Sequence, residues 1–119
     1  YLNDNKITIS EIEQTIKSEK IYKIISVPAS KVLQVYLNEN VFIDIQEMSL
    51  SDFGEECATV IEEQKIISVF CFSHHPKDFE LLKPILILML NKHGGWIGND
   101  NENFEPMFDS RNICSFEYS

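Results

Sequence analysis

Residues 41–48, VFIDIQEM, alternate with a period of two: Val41, Ile43 and Ile45 fall on one side of an extended chain, and Phe42, Asp44 and Gln46 on the other. That pattern specifies a strand in a sheet with one covered face, so the rest of the chain must supply a neighbouring strand and a cover. The run before it, KVLQVYL, is separated from it by Asn38, Glu39 and Asn40, and two β-rich runs around a short polar loop form a hairpin. Upstream, KIYKIISVP brings Ile21, Tyr22, Ile24, Ile25 and Val27 together and predicts another strand, with Pro28 ending it or marking an edge. KIISVFCF is apolar almost throughout and predicts a central strand buried on both faces.

Two segments carry helical spacing. In TISEIEQTIKS, Ile9, Ile12 and Ile16 form one stripe, Thr8 with Glu11 matches a capping box, and Glu13 with Lys17 is an i,i+4 pair. SHHPKDFELLKPILILMLNKHGG is the main helix. Ser73 or His75 stands near its N-cap, and Pro76 lies in its first turn. Asp78 and Glu80 suit its positive end, Lys92 and His93 its negative end, and Gly94 its stop. Pro84 either kinks it or moves its start one turn later. CATVIEEQ fits a strand or a short helix, WIGND a short strand, and Asp109 the cap of a helical turn before a terminal edge segment. The order α-β-β-β-(?)-β-α-β predicts a single α+β domain over residues 1–119, a mainly antiparallel sheet with two helices packed on one face.

Residues 93–106, HGGWIGNDNENFEP, hold three of the four glycines and the sole tryptophan. Phosphate loops place glycines between a strand and a helix N-terminus, whereas these follow a helix, so a phosphate site is rejected. Asn99, Asp100, Asn101 and Glu102 offer oxygens but lack the register of a calcium loop, and a solvated hairpin tip is expected. His74 and His75 stand roughly 27 Å from His93 along one continuous helix, which excludes a site built from the three alone. Cys57, Cys71 and Cys114 show no paired spacing and are expected as reduced thiols, Cys71 buried in its strand. No nucleophile–base pattern stands out, so no catalytic residue, metal or cofactor is assigned, and enzyme is the minority reading.

The formal charge is −9, with 19 acids against 10 bases. Such a field repels nucleic-acid backbones and anionic membranes and favours encounter with basic proteins. Against a pattern-level comparison, HPKDFELLKPILILMLNKHGGWIGNDNENFEP resembles small acidic bacterial immunity proteins, the partners of toxins. The resemblance implies docking on a toxin and occluding it, and it transfers no functional residue. The expectation is therefore a protein-binding domain, cytoplasmic and without secretion signal or membrane span. Its candidate contacts are Trp96, Asp100, Glu102, Phe104 and Glu105, where an aromatic anchor lies among steering acids. The alternative is a structural or oligomerisation module pairing through an exposed edge, either residues 41–48 or the C-terminal CSFEY.

Overall fold

A computed structural model describes residues 1–18, 21–98, 104 and 106–115. In chain order its elements are β1 (Leu2–Asn3), α1 (Ile9–Ile16), β2 (Lys23–Val27), β3 (Val32–Tyr36), β4 (Phe42–Met48), α2 (Glu55–Glu63), β5 (Ser68–Ser73) and α3 (Phe79–His93). The strands form one five-stranded sheet in the order β1-β5-β4-β3-β2, antiparallel throughout. With three α-helices among the described residues, the chain is an α+β protein.

The hairpin forms as its alternation requires. Val35 pairs with Ile43 and Leu33 with Ile45, and all four side chains are fully buried. On the other face of β4, Phe42 remains 46% exposed, the mark of a side that the fold leaves open. β4 is internal, between β3 and β5, so residues 41–48 present no edge for a twin to pair with. The edges of the sheet are β1 and β2. β5 is internal as expected, with Ser68, Val69 and Phe70 buried, although Cys71 and Phe72 are only half-buried as the strand runs outward.

α1 begins at the predicted capping box. The Glu11 amide donates to Thr8 Oγ1 at 3.2 Å, and the Thr8 amide donates to Glu11 Oε2 at 3.4 Å. Lys17 reaches Glu13 at 2.9 Å. α3 buries Phe79, Leu82, Ile85, Leu86, Met89 and Leu90, the i, i+3, i+4, i+7 stripe of a helix on a core. It runs unbroken through Pro84. Pro84 and Glu80 are both exposed, so the hydrogen bond that the proline cannot make to Glu80 is lost on the solvent side of the helix. A 3-10 turn, Pro76–Asp78, leads into α3 with His75 at its N-cap.

Ile12 and Ile16 of α1 and the buried stripe of α3 share one cluster with Leu33, Val35, Ile43, Ile45 and Phe70. Each such side chain, fully buried, contributes about 1.5–3 kcal/mol. The third helix, α2, resolves the ambiguity of CATVIEEQ. It packs on the opposite face, where Cys57, Val60 and Ile61 meet Met48, Val69 and Leu2. α2 ends in a paired closure: the Lys65 amide donates to Glu62 O at 3.2 Å and the Ile66 amide to Ile61 O at 2.9 Å. This closure places Lys65 at φ 56°, a position usually given to glycine.

Candidate functional site

The glycine-rich stretch closes the fold at the end of α3. The Gly94 amide still donates to Leu90 O, but its φ of 74° and ψ of −151° turn the chain out of the helix. The last carbonyls of α3 then find side-chain donors from the N-terminal strand. Tyr1 Oη donates to Gly94 O at 2.6 Å, and Asn3 Nδ2 approaches Tyr1 Oη at 2.7 Å and His93 O at 3.1 Å. Burial pushes the Tyr1 phenol up to about 12, against a lowering by the Asn3 hydrogen bond, with Asp4 adding to the rise. Gly95, at φ 85°, lies so close to Leu2 that a Cβ there would collide with the Leu2 carbonyl oxygen. The contact lets Trp96 and Leu2 exchange two backbone hydrogen bonds, each 2.8 Å, while Ile97 and Phe108 exchange another pair at 2.7 and 2.8 Å. Of the predicted strand WIGND, Trp96 and Ile97 form a short bridge that covers the β1 edge, while Asn99 and Asp100 lie outside the described residues.

Trp96 is half-buried and packs against the cluster of Leu2, Cys57 and Val69. Phe104 lies in that cluster at 5% exposure, its ring edge-on to Phe53 with centroids 5.4 Å apart. The structure therefore brings these two aromatics together, with Phe104 inside the fold and part of Trp96 at the surface. Asp100, Glu102 and Glu105 lie outside the described residues, as does the end of the CSFEY segment beyond Ser115.

The histidines stand apart. His74 sits 5.7 Å from the Phe79 ring, and His93 Nε2 lies 2.7 Å from Thr15 Oγ1, whose hydroxyl also donates to Glu11 O. Burial lowers the pKa of His93, opposed by nearby Glu11 and reinforced by Lys92. These groups border an open depression of about 280 Å³ between α1 and the end of α3. Among the described residues, no group of three or more His, Cys, Asp or Glu is placed to hold a metal ion. Cys57 is buried, Cys71 half-buried and Cys114 exposed. No helix among the described residues is long and apolar enough to cross a membrane.

The outer face of the sheet beyond α2 gathers exposed and half-buried apolar side chains from three adjacent strands. Register places three rows across β4, β3 and β2: Phe42, Tyr36, Lys23; Asp44, Gln34, Ile25; and Gln46, Val32, Val27. Ile25, Val27 and Phe42 are 39%, 40% and 46% exposed. The Tyr36 and Phe42 rings lie 5.3 Å apart, and Lys23 Nζ sits 4.5 Å from the Tyr36 centroid. In the middle row Asp44 is half-buried, and its Oδ1 is shielded from solvent without a hydrogen-bond partner. Residues 32–64, which supply β3, β4 and α2, carry eight acids and no Lys or Arg. Glu62 and Glu63 close α2 at its negative end, where acids oppose the helix dipole. Alternation in VFIDIQEM revealed one strand of this face in sequence, Phe42, Asp44 and Gln46; which strands flank it depended on pairing that no local pattern encodes.

Comparison with protein-family models, with curated proteins and with solved structures finds no match to the chain. Fold and surface together define an α+β protein whose antiparallel sheet is covered on one face and partly open on the other.

Proposed function

We propose that the chain is a small acidic protein-binding domain, an immunity-type inhibitor that docks on a basic toxin or enzyme in the bacterial cytoplasm and occludes it. The observation that carries this reading is the apolar open sheet face in a chain of net charge −9. An apolar patch supplies the desolvated centre of an interface, and surrounding acids steer a basic partner and reject acidic ones. Trp96, with Asp100, Glu102 and Glu105 near it in sequence and Phe104 packed beneath as support, is one candidate contact region, and the sheet face is another. The test is retention of proteins from source lysate on the immobilised chain at low salt, followed by a salt gradient. A basic protein released as salt rises, and inhibited when the chain is returned to it, is the expected result. Retention of no basic protein refutes the reading.

A second reading is a self-associating structural module, and the sheet edge at β2, with which no further strand pairs among the described residues, favours it. Light scattering that shows a monomer across a wide concentration range removes it.

A further inference from the structure

We infer that the open sheet face is the docking surface, and that its occupant is a cationic segment of a partner protein with an Arg or Lys side chain directed at Asp44. This rests on the protein-binding reading above and adds the site and the chemistry of contact. Asp44 is the distinguishing residue. A carboxylate at the centre of a sheet face, with one oxygen sheltered from water and unpartnered, is unfavourable in the free chain. A guanidinium or ammonium group arriving from a partner supplies the opposite charge, and its donors meet the carboxylate at Oδ2, the oxygen that is not sheltered. The rows on either side give the same segment an apolar seat, Tyr36 and Phe42 on one side and Val32 and Val27 on the other.

The surrounding charge fits a cation and not a second copy. The lysine beside the face, Lys23, is already placed over the Tyr36 ring, and Lys31 lies 3.9 Å from Glu47. β3 carries no charged residue, β4 carries Asp44 and Glu47, and α2 carries Glu55, Glu56, Glu62 and Glu63. A second copy would bring another field of −9 to the same place.

The test is a titration of the isotope-labelled full chain with a synthetic amphipathic peptide of alternating Arg and Leu turns, followed by backbone NMR. The same peptide with Glu in place of Arg is the control. Shifts are expected to concentrate at Ile25, Val27, Gln34, Tyr36, Phe42 and Asp44 with the Arg peptide only. Asp44→Asn is expected to weaken binding at least about tenfold, the loss of one charge-assisted hydrogen bond, with the unfolding midpoint unchanged or raised. Phe42→Ser is expected to weaken it without unfolding the chain, since the side chain is 46% exposed. Shifts scattered over all surface acids, no binding, or full affinity in Asp44→Asn overturn the proposal. So does concentration-dependent broadening at residues 23–27 without peptide, which assigns the face to a second copy. If the lysate experiment yields a basic partner that both variants still retain, the docking site is wrong while the inhibitor reading stands.

Discussion

Replacing Gly95 by Ala should be far more damaging than replacing its neighbour Gly94, although both have positive φ. At Gly94 a Cβ meets nothing within 4 Å, so Gly94→Ala bears the backbone cost alone, about 1–3 kcal/mol. At Gly95 the same backbone cost is joined by collision with Leu2 O, a main-chain atom that cannot rotate away. Relief requires Leu2 and Trp96 to separate, which breaks two 2.8 Å hydrogen bonds contributing about 1 kcal/mol each. The expected loss for Gly95→Ala is therefore about 3–5 kcal/mol, roughly 10–25 °C in unfolding temperature for a domain of this size. Urea and thermal unfolding followed by circular dichroism measure it. If Gly95→Ala loses no more stability than Gly94→Ala, the closure of residues 95–97 on β1 is not part of the cooperative fold, and the reasoning fails.

Three further outcomes are expected. Lys65→Gly should stabilise the chain by about 0.5–1 kcal/mol, because Lys65 holds φ 56° in the closure of α2; a lower urea midpoint refutes that closure. Thr8→Ala should destabilise by about 1 kcal/mol and Thr8→Ser by much less, read from the same midpoints, since the capping oxygen alone is at issue. His93 is held neutral in the fold below its ordinary 6.5, chiefly by burial. The unfolded chain therefore takes up a proton first as pH falls. Stability is unaffected by this group above about 6.5, declines as pH drops from there towards the lowered folded pKa, and levels off beneath it. Midpoints at pH 7.5 and 5 should differ less in His93→Gln than in the native chain, and an equal difference removes the assignment.

Much of the fold is legible where one short segment carries its own signal. Thr8 and Glu11 mark a helix start, the spacing of Leu82, Ile85, Leu86 and Met89 marks a buried helical stripe, and Phe42–Met48 marks a strand with two unlike faces. Elements whose stability lies in distant partners are not legible. Leu2–Asn3 is too short to show a period, and it is a strand because Val69, Ser68 and Trp96 pair with it. α2 has one buried residue, Cys57, and stops at a lysine where a glycine would have announced the end. The same limit holds at the surface. Trp96 and Phe104 are conspicuous by type, yet Phe104 serves the interior. Asp44 is inconspicuous by type, and only its neighbours across β3 and β5 make its unpartnered oxygen evident.

The exposed residues of the outer face divide into two kinds once their effect on the free chain is considered. Tyr36 with Phe42, and Lys23 over Tyr36, stabilise the sheet through cross-strand contact, so they have a reason to be there without any partner. Ile25 and Val27 are good strand formers, but a threonine would hold an edge strand nearly as well and expose less apolar surface. Asp44 works in the opposite direction: carboxylates are poor strand formers, and a sheltered oxygen without a donor lowers stability further. Folding accounts for the aromatic pair, is nearly indifferent to the two aliphatics and opposes the acid. A face that only had to be wetted would have no use for the acid in its middle row, whereas a face that must accept a cation has use for all of them together.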